Sequence, residues 1–518
     1  MKKKKPNVVF ILSDDHGQWA MGCYGNEEIK TPNLDKIADE GMLFDNFYCA
    51  SPVCSPARAS ILTGKMPSQH GVHDWIGSGC VKKEDYENIM VSKKRYVASL
   101  GDRATEDYHN IDEKEKVSFK EISQWKFVSH ETDAPIEYLK DDKTYTELLS
   151  ENGYKCGIVG KWHLGASATP QKGYSYWSVI GKGGCLYHLP DFYRDGKLEV
   201  DDTYITDTIT DEGIGFIEDC AKKDQPFYIN LNYTAPHSPW VKEDQDEEIW
   251  NSYNDCPFES VKDEGIHPNQ VDRRHPGFRN PEKRKYMLQA YYTAVTAMDN
   301  NIGRLLDKLV ELGIRDDTMI IFTGDNGMNL GQHGIWGKGN GTFPMNFYDS
   351  SIKVPTLISQ PSRIKEGVVN SDMLSHYDFF PTILNWCGID NRNDGTFPGQ
   401  DFSGILKGEN QLEEKPLVIF DEYGPNRMIR SNQYKYIHRY PYGECELYDM
   451  EKDPNETVNL YRNEKYKDII ESLNEKLISW FNIYSKKGVD GLGLGVNGNG
   501  QFGEVNIKSK GKNPFKDF

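Results

Sequence analysis

The stretch Val8-Val9-Phe10-Ile11-Leu12-Ser13-Asp14-Asp15 decides the architecture. An unbroken apolar run stops abruptly at a hydroxyl and a pair of carboxylates. So short a run, without alternation, reads as a strand buried on both faces, and such strands belong to parallel sheets covered by helices on either side. The preceding Met1-Lys2-Lys3-Lys4-Lys5-Pro6 has the charge of a secretory leader, but the apolar run after it is too short to complete one. Similar runs recur at Cys156–Gly160, Phe227–Asn232, Met319–Thr323 and Val354–Ser359. Helical patterns at Asn33–Glu40, Lys143–Asn152, Asp207–Cys220 and Tyr286–Leu312 separate them. The predicted fold is α/β, with a large mixed, mostly parallel sheet sandwiched by helices. Ligands of such sheets sit beyond the carboxyl ends of the strands, where Asp14, Lys161, Tyr233 and Asp325 all fall.

Past Gly399–Gly404 the pattern changes. Val418–Glu422, Met428–Arg430 and Tyr434–His438 read as antiparallel strands, and Tyr466–Tyr484 as a helix. The expected division is a catalytic domain over 1–405, a smaller C-terminal α+β subdomain with an antiparallel sheet over 406–487, and a tail over 488–518. That tail is rich in Gly and Asn and reads as a flexible end or an arm that docks elsewhere, with flexibility favoured. Two charged stretches, 81–142 and 241–285, lack core periodicity and are expected to wall a pocket.

The 518 residues hold 61 Lys plus Arg against 79 Asp plus Glu, a net charge of −18. No basic face for nucleic acid is implied, and no segment is apolar enough to span a membrane. The 10 cysteines show no paired spacing. Reduced, buried thiols and a cytoplasmic location are expected.

Asp14-Asp15 and Asp325-Asn326-Gly327 offer hard oxygens at two strand ends, which suits calcium or magnesium and not zinc. Each alone is an ordinary turn or cap. In Cys54-Ser55-Pro56-Ala57-Arg58, continued by Ala59 to Gly64, Pro56 fits an early helical position. A thiol there meets unpaired amide donors, the positive helix end and the Arg58 charge, a setting for anionic chemistry. Further cations stand in Gly160-Lys161-Trp162-His163, Ala235-Pro236-His237-Ser238-Pro239 and Trp336-Gly337-Lys338-Gly339.

These motifs, in this order, resemble the formylglycine-dependent (type I) sulfatases of the alkaline phosphatase superfamily, whose signature is Cys-x-Pro-x-Arg-x4-Thr-Gly; here Pro67, His70 and Gly71 follow it. The resemblance runs from about Pro6 to Leu460. It implies that a maturation enzyme oxidises Cys54 to formylglycine, whose hydrate attacks sulfur. It implies one divalent cation, calcium or magnesium, held by Asp14, Asp15, Asp325, Asn326 and the oxygen on residue 54. Arg58, Lys161 and Lys338 would hold the sulfate oxygens, with Asp325 as first base and His70 or a neighbour as base for the collapse of the sulfated adduct. His237 would protonate the leaving oxygen, with His163 as second choice.

The implied reaction is hydrolysis of a sulfate monoester, with a sulfated carbohydrate favoured and aryl sulfates as test substrates. Asp74 and Trp75 read equally as pocket residues and as a turn cap with a packed ring. Arg273 and Arg274, with His275 and Arg279, are candidates for a second anion but fit a solvated loop better. The acidic net charge favours small sulfated fragments over long polyanions. Alternatives are a formylglycine-dependent phosphodiester or phosphonate ester hydrolase, and a sulfate-binding protein without catalysis if Cys54 stays a thiol. Expected partners are the small sulfated substrate, the maturation enzyme and, for assembly, a homo-oligomer.

Overall fold

In the computed structural model, residues 5–491 are described apart from 101–103, 105, 120–133, 391–394, 410–414, 422–425 and 440–443. The first strand, β1 (Asn7–Ser13), is buried along its whole length. Its neighbours in chain order are β2 (Met42–Phe44), β3 (Lys155–Gly160), β4 (Tyr176–Ile180), β5 (Asp191–Arg194), β6 (Lys197–Val200), β7 (Phe227–Asn232), β8 (Thr318–Gly324), β9 (Thr356–Ser359) and β10 (Val368–Asn370). They form a 10-stranded sheet in the order β10-β2-β9-β8-β1-β7-β3-β4-β5-β6. The central strands β8, β1, β7, β3 and β4 are mutually parallel.

Alternation along β1 sends successive side chains to opposite faces. Val8, Phe10 and Leu12 enter one core with α2 (Cys54–Thr63), α3 (Tyr145–Glu151) and α6 (Phe379–Trp386). Val9 and Ile11 enter the other with α1 (Pro32–Asp39), α4 (Ile205–Lys222) and α5 (Pro281–Glu311). Both faces are therefore covered, as the apolar runs require.

Several details differ from expectation. β9 pairs antiparallel with β8 and β2, and β5 and β6 extend the other edge antiparallel. β5 and β6 are joined by Asp195-Gly196, both at positive φ (49° and 74°), the conformation a tight hairpin needs. Helix α5 starts earlier than predicted because Asn280 caps it, its side chain accepting from the Glu282 amide at 2.9 Å, with Pro281 in the first turn. The second charged stretch has a core of its own, since Tyr253, Phe258 and Val261 pack on Leu288, Tyr291 and Tyr292 of α5.

The C-terminal sheet is a meander of β11 (Leu417–Asp421), β12 (Asn426–Arg430), β13 (Tyr434–Arg439) and β14 (Glu446–Asp449). The long helix α7 (Lys467–Tyr484) buries Leu473, Leu477 and Phe481 beside it. The start of the tail is docked rather than loose. Just before it, Lys486 donates its amide to the Ser68 carbonyl at 2.9 Å, and within it the Val489 carbonyl meets His73 Nε2 and Asp490 meets Arg427 at 3.2 Å. Residues 492–518 lie outside the described part. Among the described residues no helix is long and apolar enough to cross a membrane.

Candidate active site

Register brings the two acidic turns together. Leu12 pairs with Thr323 and Ser13 with Gly324, so Asp14-Asp15 and Asp325-Asn326 leave the sheet side by side. Asp15 takes a positive φ of 57°, and its amide donates to Asp325 Oδ1 at 3.1 Å while its carbonyl accepts from Tyr291 at 2.8 Å. Helix α2 aims its N-terminus at the same point, and its N-cap Val53 supplies no side-chain acceptor for the first amides. The ligand atoms of Asp14, Asp15, Cys54 and Asp325 lie within 4.8 Å of one another, and all four residues are buried.

Cations surround the cluster. Arg58 donates to Asp325 Oδ2 through Nε (3.0 Å) and Nη2 (2.8 Å), and Nη1 reaches the Lys161 carbonyl at 2.9 Å. Lys161 Nζ pairs with Asp14 Oδ2 at 2.5 Å. Lys338 Nζ stands 2.5 Å from Asp15 Oδ1 and 2.7 Å from Cys54 Sγ. Burial acts to raise the pKa of Asp15, but Lys338 and His237 outweigh it and hold the carboxyl below its usual range. For Asp325, burial is likewise outweighed, by Arg58 and Lys161. Burial also works against the charge on Lys338, yet Asp15 and Cys54 hold it well above the ordinary lysine value.

Two atoms are mismatched to this setting. Asn326 Nδ2 donates to Asp15 Oδ1 at 2.8 Å, but Asn326 Oδ1 is buried with no hydrogen-bond partner. A buried carbonyl oxygen left unpaired is costly, and beside three carboxylates it fits as a ligand of a hard divalent cation. The other is Cys54 Sγ, 3.4 Å from Asp14 Oδ1 and 3.9 Å from Asp15 Oδ1. Burial, only partly offset by Lys161 and Lys338, pushes this thiol up to about 12, so it is neutral at pH 7 and a poor nucleophile. Sulfur is also the wrong partner for a hard cation; an oxygen at this position would match the rest of the shell.

His237 sits at the rim, its side chain 27% exposed, with Nε2 3.6 Å from Asp15 Oδ2 and Nδ1 2.6 Å from the Ser238 carbonyl. Tyr187 donates to the His237 carbonyl at 2.9 Å. His163 is buried, with Nε2 3.1 Å from the Ile76 carbonyl, and burial keeps it neutral well below the usual histidine range. The loop after β4, unread in the sequence, packs over both rings. A Cβ on Gly183 would stand 2.1 Å from His163 Nε2, and one on Gly184 3.8 Å from His237 Cε1. Glycine is thus required at 183 for close approach and leaves the edge of His237 open at 184.

The structure does not bring every candidate to the cluster. His70 belongs to the packing beneath α2: Nδ1 accepts from the Val72 amide and Nε2 lies on Ser60 Oγ, both at 3.1 Å. With both nitrogens engaged there, the geometry moves the expected base away from His70. Asp74 is buried and accepts from the Trp75 amide at 2.7 Å, the turn-cap reading. Trp75 packs on Val53 and Met345, next to Cys54. Arg273 and Arg274 are exposed, and Arg273 spends its guanidinium on the carbonyls of His267 and Pro268. Their loop is nevertheless fastened to the Lys338 loop, through Gln270 bonded to both the carbonyl and amide of Trp336 and through His275 stacked on the Trp336 ring at 4.9 Å.

A buried, cation-balanced carboxylate cluster beyond the carboxyl ends of central strands, with an uncapped helix end beside it, is the equipment of an enzyme that cleaves anionic esters. The chain belongs to the sulfatase family, whose profile matches residues 6–110 and 127–389, and it is a sulfuric ester hydrolase. A second profile, described as N-sulphoglucosamine sulphohydrolase, C-terminal, matches residues 331–482. An N-acetylglucosamine-6-O-sulfatase of Bacteroides thetaiotaomicron is 27% identical, covering 91% of this chain and 86% of its own. An arylsulfatase of Clostridium perfringens is 28% identical over 92% of this chain and 94% of its own. Among solved structures, one in complex with its substrate D-glucosamine-2-N,6-O-disulfate superposes with a TM-score of 0.72 at 26% identity, covering 94% of this chain and 99% of that one.

Proposed function

We propose that this protein hydrolyses the 6-O-sulfate ester of a small N-acetylhexosamine-type sugar, using a formylglycine made from Cys54 and one divalent cation, calcium or magnesium. The observation that carries the mechanism is the pair of mismatched atoms: an unpartnered Asn326 Oδ1 and a sulfur enclosed by hard oxygens. The sugar class is supported by relatives named as 6-sulfatases of N-acetylglucosamine and N-acetylgalactosamine, and by the neighbour solved with a glucosamine disulfate.

Asp14, Asp15, Asp325 and Asn326 would hold the cation, which when bound supplies positive charge for the sulfate oxygens. Arg58, Lys161 and Lys338 point three fixed positive charges at the space around residue 54, where negative charge develops as sulfur is attacked. They need no reorganisation, since each is already locked onto a carboxylate. His237 presents Nε2 toward the cluster from the rim and can give its proton to the departing sugar oxygen. His163 is a better candidate than His70 to take a proton from residue 54: its Nε2 donates to the Ile76 carbonyl and its Nδ1 is buried without a partner, whereas both ring nitrogens of His70 are engaged.

The test combines mass spectrometry of the tryptic peptide Ile37–Arg58, from protein co-expressed with a maturation enzyme, with turnover of 6-O-sulfated and other monosulfated hexosamines. The expected result is an aldehyde in place of the Cys54 thiol, release of sulfate from the 6-position, and no turnover by Cys54→Ala. Turnover by that variant, or by protein carrying only the thiol, would overturn the mechanism.

A further inference from the structure

The C-terminal sheet grips the segment that follows Lys338. Met345 and Phe347 offer their carbonyls to two side chains of one strand, β13: Arg439 Nη1 donates to the first at 2.6 Å and Lys435 Nζ to the second at 2.8 Å. Neither donor is loose. Arg439 also donates to Asn426 at 2.9 Å and forks onto Glu446 at 2.9 and 2.7 Å. Lys435, fully buried, also meets Asp349 and Glu456, each at 2.6 Å.

Between the two held carbonyls stands Asn346, 3% exposed. Its Nδ2 donates to the carbonyls of Lys338 (3.2 Å) and Gly339 (3.0 Å), and its Oδ1 accepts from Ser351 Oγ at 2.6 Å. Ser351 in turn accepts the Gly327 amide on its carbonyl at 2.9 Å, directly after Asn326. Asn329 closes the circuit, donating to Ser351 Oγ at 2.7 Å and to the Gly337 carbonyl at 3.0 Å. One buried amide therefore joins the backbone of Lys338 to the turn that carries Asp325 and Asn326.

We propose that Asn346 is the positioning residue for Lys338, clamped on both sides by β13, so that the C-terminal sheet is a working part of the active site. This rests on the reading of Lys338 as a sulfate-holding cation. A lysine reaches its target on a flexible stem, so the place of its charge depends on where its backbone is pinned. A fully satisfied buried network supplies that pin, and an error of about 1 Å at a charge-stabilising group can cost roughly 100-fold in rate.

The experiment is a double-variant cycle on mature, cation-loaded protein with 4-nitrophenyl sulfate, using Lys338→Ala, Asn346→Ala, Arg439→Gln and each combined with Lys338→Ala. Asn346→Ala is expected to lower kcat by about 10- to 100-fold with KM within about 3-fold, and Arg439→Gln to follow in the same direction. In the Lys338→Ala background both losses are expected to vanish to within about 3-fold, a non-additivity that a merely structural role would not produce. Multiplying losses in that background, or single variants at wild-type rates, would overturn the positioning role. An inert mature wild type overturns the functional reading and this inference with it, and is told apart from a failed coupling because the same assay scores the wild type first.

Discussion

At Cys54 a soft, neutral thiol is enclosed by oxygens and cations that have no use for it, and that contrast argues for modification more directly than sequence likeness does. His237 poses the complementary question of the leaving group. Its Nδ1–H donates to the Ser238 carbonyl and its Nε2 faces the cluster, so the proton an ester oxygen can take is the one Nε2 carries in the imidazolium form. For His237→Ala, kcat on sugar sulfates should fall by about 100- to 10,000-fold, since an alkoxide needs the proton, while 4-nitrophenyl sulfate should lose far less. Steady-state rates on the two substrates check this, and equal losses would move the acid elsewhere. Asp14, Asp15, Lys161, Asp325 and Asn326 were legible because each follows the end of an apolar strand, and such ends converge in a sheet of this kind, while Arg58 and Lys338 were legible from the motifs around them. His70 was not, because what decides its role is Ser60, ten residues earlier, and a helix–turn geometry that no motif encodes. Asn346 left no signal at all: its importance comes from Arg439 and Lys435, roughly ninety residues away in the chain.

Helix α2 shows what the Thr-Gly end of the signature is for. Gly64 closes the helix at φ 68°, its amide returning to the Ser60 carbonyl at 2.9 Å, and a Cβ there would stand 2.9 Å from Phe380 Cβ. Thr63 Oγ1 donates back to the Ala59 carbonyl at 2.7 Å. Gly64→Ala is expected to destabilise the protein by about 1–3 kcal/mol, combining left-handed strain with the clash. Urea denaturation measures the loss, and a change below about 0.5 kcal/mol would contradict the account. The central strands were legible because they are continuous apolar runs. Their direction was not: Thr356–Ser359 reads the same whether it runs with or against β8. The hairpin of β5 and β6 carried an Asp-Gly turn, but its strands are polar enough to pass for loop.

Across the whole molecule, buried ionisable groups pull the pH dependence of stability in opposite directions. His376, with Nε2 on the Gly324 carbonyl, is held neutral by burial down to about 3. Its unfolded form takes a proton near 6.5, so its stabilisation is complete above that pH and is lost as the pH falls from 6.5 toward 3. Asp244 and Asp378 are raised by burial to about 7, so the native state keeps protons that the unfolded chain has released, and these two cost stability as pH rises from about 4 to 7. Because two acids oppose one histidine, these slopes cancel only in part between pH 6.5 and 4.5. His376→Asn removes this histidine's contribution alone, and the variant should gain on the wild type by about 2 kcal/mol as pH falls over that interval, read from urea midpoints. Parallel profiles would show that His376 titrates normally.

The depth of Cys54, only 2% exposed, fixes a date as well as a place. A side chain sealed between a helix end and the charged groups around it cannot be drawn into another enzyme's active site without dismantling the carboxyl ends of the central strands. If Cys54 is converted to the aldehyde as proposed, conversion must precede the meeting of β1, β8 and α2, and the folding rate would set how long that opportunity lasts. Protein folded without the modifying enzyme should remain inert when the enzyme is added afterwards, and should become a substrate again only through unfolding; efficient conversion of the folded thiol form would refute this order of events.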